Sequence, residues 1–134
     1  MQVPKPVTTF YLQDGTSVEF PLKTAINSED VEDYKESLVR VYLAQNVTLI
    51  DNKTFNDCLN LTQITIMNKD VEVGSDAYIF PRSSTFSTLI FNGTFAEFSS
   101  SDLRSDQMGF YDASFFHPNL LIQCSDQSVR LSEL

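Results

Sequence analysis

The sequence predicts an α/β fold: a short solenoid of stacked coils with a parallel sheet, capped by an N-terminal β-hairpin and a short helix. Three observations predict it. An apolar-x-x-apolar-x-apolar pattern returns along the chain, a second apolar pair follows each return, and an Asp-Gly step separates two alternating apolar segments near the start. A chain of 134 residues suffices for one domain. Within it we expect an extended arm at 1–8, a hairpin-and-helix cap at 9–37 and solenoid coils at 38–134.

The returns carry most of the prediction. Leu38-Val39-Arg40-Val41-Tyr42-Leu43 aligns with Leu61-Thr62-Gln63-Ile64-Thr65-Ile66 and with Phe86-Ser87-Thr88-Leu89-Ile90-Phe91, and Asn119 to Cys124 is a weaker fourth copy. The central apolar residues Val41, Ile64, Leu89 and Ile122 stand 23, 25 and 33 positions apart. The later pairs are Val47 and Leu49, Val71 and Val73, Phe95 and Phe98, and Val129 and Leu131, so each coil is expected to hold two short strands. One coil cannot bury its own apolar side, whereas stacked coils share one elongated core. The spacers between coils are Lys53–Asn60, Ser75–Thr85 and Ser101–Pro118, the last read as an insertion.

The cap follows from local chemistry. Asp14-Gly15 between Thr9–Leu12 and Thr16–Phe20 predicts a two-residue type I′ turn, which needs positive φ at both central residues. Pro4 and Pro6 exclude helix before it. Asn27 and Ser28 cap a helix whose first turns hold Glu29, Asp30, Glu32 and Asp33, where carboxylates suit the helix dipole. Val31, Tyr34 and Leu38 share one face at helical spacing. The acidic run lacks the alternating oxygen ligands and central Gly of a calcium loop.

Composition excludes several functions. Nine basic against 18 acidic residues give a net charge of −9. Such a surface repels phosphate backbones and anionic bilayers, so neither nucleic acid nor membrane is an expected partner. No apolar run approaches the ~20 residues of a membrane-spanning helix. No apolar segment follows Met1, so no secretory signal is expected in this chain. The Asn-x-Thr triplets at Asn46, Asn52, Asn60 and Asn92 read as products of a composition rich in Asn, Ser and Thr.

Residues 54–66, Thr-Phe-Asn-Asp-Cys-Leu-Asn-Leu-Thr-Gln-Ile-Thr-Ile, resemble the BspA-type leucine-rich repeat. That repeat runs aromatic, two variable residues, Cys, a variable and a small polar residue, Leu, two variable residues, then Ile-x-Ile. Phe55, Cys58, Asn60, Leu61, Ile64 and Ile66 match it, and Val71 and Val73 match its second strand. The neighbouring copies share only the strand spacing. The resemblance implies a right-handed leucine-rich-repeat-like solenoid with a parallel sheet and a role in recognition. Such repeats occur on bacterial surface proteins, in protists and among bacteriophage structural proteins.

Catalytic chemistry finds little provision. His117 is the only histidine, and Cys58 and Cys124 are expected at buried core positions, Cys124 in the inward place matching Ile66, where thiols are inert small apolar groups. One His and two separated Cys make a poor zinc site, and no metal or cofactor is expected. No phosphate-binding loop or nucleophile elbow occurs among the four glycines. The function expected is therefore binding or assembly, not catalysis. Alternation turns Arg40, Tyr42, Gln63, Thr65, Thr88, Ile90, Leu121 and Gln123 outward from the strands, as one binding face that includes a Tyr and an Arg, types enriched at interface hot spots. The expected partner is a protein, with an accessory head-decoration or tail protein of a bacteriophage particle, docked on a capsid or tail protein within a larger assembly, as the favoured setting. The alternatives are a bacterial or host-interaction leucine-rich-repeat binding protein and a small hydrolase using two carboxylates.

Overall fold

The structure, a computed structural model, describes residues 7–51, 54–74, 80–81, 83, 85–104 and 119–133. The expectations for the arm at 1–6, for Asn52, for His117 and for most of the Ser75–Thr85 and Ser101–Pro118 spacers fall outside these residues.

The chain opens with a hairpin. Strands β1 (Thr8–Leu12) and β2 (Ser17–Phe20) pair antiparallel. Gly15 N–H donates to Leu12 O at 3.0 Å, Leu12 N–H donates to Thr16 O at 2.9 Å, and Gly15 takes φ +89°. This is a three-residue loop closed by a glycine bulge, where we expected a two-residue turn. Asp14 explains the difference. Its carboxylate accepts both the Thr16 hydroxyl at 2.6 Å and the Thr16 N–H at 2.9 Å, which holds Asp14 inside the loop and its carboxyl below the usual range.

Next come β3 (Ala25–Ile26) and α1 (Ser28–Val31). Asn27 caps α1, its side chain accepting from the Glu29 and Asp30 N–H groups while Asp30 accepts the Asn27 N–H. The helix stops after four residues. Leu38, which shares the helix's apolar spacing and also opens the first repeated pattern, begins β4 (Leu38–Leu43). The remaining elements among the described residues are β5 (Leu49–Ile50), β6 (Gln63–Ile66), β7 (Glu72–Val73), β8 (Thr88–Phe91), α2 (Phe95–Ser100), β9 (Leu121–Gln123) and β10 (Ser128–Arg130), with 3₁₀ turns at Asp102–Arg104 and Leu131–Glu133.

Two sheets result. The larger has seven strands in the order β10-β9-β8-β6-β4-β1-β2, and the smaller is β3-β5-β7, all parallel. Within the larger sheet β4, β6, β8 and β9 run parallel, with Val41, Ile64, Leu89 and Ile122 in register. Both sheets feed one core, from Ile26 and Ile50 on one side to Val41, Ile64, Leu89 and Ile122 on the other. Phe10, Phe55, Phe86, Phe91 and Phe98 fill it.

This architecture overturns the expected right-handed leucine-rich-repeat-like solenoid. The main sheet is mixed, with antiparallel pairs at both margins, and the two α-helices among the described residues have only four and six residues. The hairpin covers the open edge of the first repeated strand by joining the sheet. It adds β1 directly to β4, because a free strand edge carries unpaired N–H and C=O groups that another strand satisfies best. Phe95 and Phe98 were expected in a strand, but Thr94 and Glu97 form a capping box and start α2 there. Val129 and Leu131 were expected in the second short strand of the last coil; Val129 lies in β10, while Leu131 begins a 3₁₀ turn. A tight turn after β9 folds β10 back onto the main sheet.

Three Asn-x-Thr triplets are part of this framework. Asn46 Nδ2 donates to Lys23 O at 3.1 Å, Asn60 Nδ2 to Glu36 O at 2.7 Å and Asn92 Nδ2 to Met67 O at 3.0 Å. The Thr48 and Thr62 hydroxyls donate to Thr24 O and Val39 O, and Thr94 caps α2. Each triplet thus ties its segment to carbonyls lying 23 to 25 residues earlier. A carbonyl that the short strands leave without a backbone partner would otherwise need water or another donor.

Candidate functional site

Successive side chains of a strand alternate between faces. In β4, Val41 and Leu43 point into the core, so Arg40 and Tyr42 point away from it. The parallel register carries that parity across the sheet. Arg40 lies beside Gln63, then Thr88, then Leu121; Tyr42 lies beside Thr65, then Ile90, then Gln123. All eight residues expected on the outward face therefore come together in two adjacent rows.

The antiparallel margins lengthen both rows with residues not anticipated from the sequence. Tyr11 stands opposite Arg40 and Thr9 opposite Tyr42. Beyond them, β2 adds Ser17 and Glu19, while β10 adds Arg130 and Ser128 at the other end. A signal for Tyr11 was present: Phe10 is the inward residue of an alternating segment, so its neighbours face outward.

Exposure varies along the face. Arg40 and Tyr11 are exposed; Tyr42, Gln63, Thr88, Ile90, Leu121 and Gln123 are half-buried. Thr9 and Thr65 are buried by their cross-strand neighbours. The Arg40 guanidinium lies 4.6 Å from the centre of the Tyr11 ring, a cation–π contact. Among the described residues Arg40 is in no ion pair. Arg130 is held in place by donating to Asn119 O at 3.0 Å. Across the two rows, two cations face one carboxylate, Glu19. The face is therefore slightly positive on a chain whose net charge is −9.

A groove of about 450 Å³ elsewhere gathers Lys69, Asp70, Val71, Glu72, Glu97, Ser100, Ser101 and Asp102. Its carboxylates are the material that a hydrolase would need, but two of them serve the fold. Glu97 binds Lys69 at 2.7 Å and accepts the Thr94 N–H at 2.9 Å; its partnership with Lys69 and then with Thr94 holds its carboxyl below the usual range. Asp102 accepts the Val73 N–H at 3.2 Å. Gly93 fits close by because a Cβ there would meet the Phe91 ring at 2.7 Å. Among the described residues, no three His, Cys, Asp or Glu side chains cluster closely enough to hold a metal, and no helix is long and apolar enough to cross a membrane.

The two thiols are free and differ in environment. Cys58 is fully buried, and loss of hydration pushes its pKa up to about 12, with Asp57 adding to the effect. Cys124 was expected to take an inward strand position like Ile66. It lies one residue past β9, half-buried, because the turn into β10 begins there with its N–H donating to Gln127 O. Set against models of protein families, curated proteins and solved structures, the chain matches none of them.

Proposed function

We propose that the protein is a non-catalytic interaction module that docks on a protein partner through the open face of its seven-stranded sheet. The arrangement of Tyr11, Arg40 and Tyr42 carries the reading. Two aromatic side chains flank an exposed arginine that no carboxylate among the described residues neutralises, on a sheet and beside a nearly uncharged run of Thr, Gln, Ile and Leu. Tyr and Arg contribute disproportionately to interface energies, since both offer large contact areas with a polar end. The resemblance of residues 54–74 to a recognition repeat supports the same class of function. The setting we favour is an accessory head-decoration or tail protein of a bacteriophage particle, for which an acidic chain with one slightly positive face is well suited.

The test is site-specific crosslinking. A photoreactive residue at Gln63 should capture one partner species in extracts of the source cells or particles, and the same residue at the exposed Glu72 of β7 should not. Arg40→Ala combined with Tyr42→Ala should reduce the Gln63 capture by about tenfold or more, equivalent to about 1.4 kcal/mol, while leaving the melting temperature nearly unchanged. Equal capture from both positions, or capture unaffected by the double substitution, would remove the face from the proposal.

A further inference from the structure

The free edges of the two sheets are treated differently. In β10, the outward Arg130 N–H is taken by Glu133 at 3.1 Å. In β7, the outward Val73 N–H is taken by Asp102 at 3.2 Å. At the end of β3, the Asn27 N–H is taken by Asp30 at 3.0 Å. A carboxylate on an edge N–H blocks the position where an incoming strand would pair, and natural sheets block their edges by such devices. Edge β2 has none. Leu12 bonds Thr16 across the hairpin, so alternation makes Val18 and Phe20 the residues bonded to β1 and leaves the N–H and C=O of Ser17 and Glu19 pointing away from the sheet. Among the described residues nothing bonds these four groups. On the core side of the same edge Val18 and Phe20 are only half-buried, and Leu22, two residues further, is 91% exposed.

We propose that β2 is a strand-addition site for an extended segment of a partner protein in which apolar and basic residues alternate. Main-chain hydrogen bonds to Ser17 and Glu19 would hold the segment, and alternate side chains would supply specificity. Apolar residues on its core side cover Val18 and Phe20. Basic residues on its other side meet Glu19, on a body of net charge −9. Pro21 has no N–H to offer, so the pairing ends after Glu19 and the register is limited to that short stretch. A second copy of this chain fits less well. Pairing Glu19 with Glu19 sets like charges opposite each other, and any other register still brings together two bodies of net charge −9. The contact is held by the edge backbone of β2 and does not use Tyr11, Arg40 or Tyr42, so it stands or falls separately from docking through those residues.

The probe is a short N-acetylated peptide of alternating valine and lysine, with a valine–glutamate peptide as control. The first should bind the whole protein saturably in fluorescence anisotropy, and the control should bind about tenfold more weakly or worse. Glu19→Pro removes an N–H that bonds nothing among the described residues and should weaken the first peptide by about tenfold or more without changing the circular dichroism. Independently of that variant, the peptide should slow hydrogen exchange of the Ser17 and Glu19 amides in the native chain. No saturable binding, equal binding of both peptides, unchanged affinity in a folded Glu19→Pro variant, or unprotected Ser17 and Glu19 amides would each overturn the proposal. A dimer in sedimentation that Glu19→Pro dissociates would also overturn it, assigning the edge to a second copy.

Discussion

Phe10 and Tyr11 are neighbours in β1, and the two faces of the sheet divide between them. Phe10 is fully buried, with the rings of Phe20, Tyr34 and Phe55 centred 4.7, 6.2 and 6.3 Å away. Tyr11 is 36% exposed and carries Arg40 on its ring. The same split recurs at Val41 and Tyr42 and at Leu89 and Ile90. On the inner face, apolar volume is set by packing from both sheets, and each residue touches others that cannot move independently. On the outer face, residues need only tolerate strand geometry and their cross-strand neighbours. Folding therefore constrains one row strongly and leaves the adjacent row free for recognition.

The largest way to break that comparison is Ile64→Asp. Ile64 is 1% exposed at the centre of the parallel strands, between Val41 and Leu89. A carboxylate there would be buried without a partner, at a cost of several kcal/mol against a total stability of about 5–15 kcal/mol. Loss of the cooperative thermal transition is expected. The adjacent outward substitution, Gln63→Ala, should change stability by about 0.5 kcal/mol or less. A folded Ile64→Asp protein of ordinary stability would refute the assignment of faces.

The thiols sharpen the comparison at a smaller scale. Cys58 lies wholly inside and Cys124 at the margin where β9 ends. In native protein a thiol reagent should modify Cys124 readily and Cys58 slowly, and denaturant should release two thiols. Burial raises the Cys58 pKa from 9.0 to about 12, so the folded state favours the neutral thiol. Its contribution to stability is then complete below pH 9 and declines as pH rises toward 12, where the unfolded thiol ionises first. Cys58→Ala should remove that part of the alkaline decline in chemical denaturation. Equal labelling rates for the two thiols would contradict the difference in burial.

Local patterns were legible in the chain, and long-range pairing was not. The spacing around Val41, Ile64, Leu89 and Ile122 marks inward positions because strand alternation is written in adjacent residues. The same alternation decided the eight outward residues. It does not fix the register in which the hairpin joins the first coil's open edge, so the place of Tyr11 beside Arg40 was hidden. At Phe95 and Phe98 the signal was present and misread: a spacing of three residues suits a helix, and Thr94 with Glu97 spells a capping box. Strand β3, only two residues long, has too little pattern to be recognised. The seven-strand mixed order arises from edge satisfaction between distant segments, a property that no window of the sequence contains.

The smallest expected effect tests the outer face itself. An exposed cation–π contact contributes about 0.5–1 kcal/mol, so Tyr11→Ala and Arg40→Ala should each lower stability only slightly. Part of the Tyr11 effect would be lost strand propensity, which a double-mutant cycle removes by subtraction. Urea denaturation of the two single variants and the double variant should give a coupling energy of about 0.5–1 kcal/mol, and strict additivity would mean that the stack contributes nothing to the fold. The cycle also separates two roles for Arg40. If the coupling is present and Tyr11→Ala weakens partner capture nearly as much as Arg40→Ala, Tyr11 acts by holding the guanidinium in position. If capture falls only with Arg40→Ala, the arginine meets the partner directly, and the tyrosine ring is its resting place when the face is uncovered.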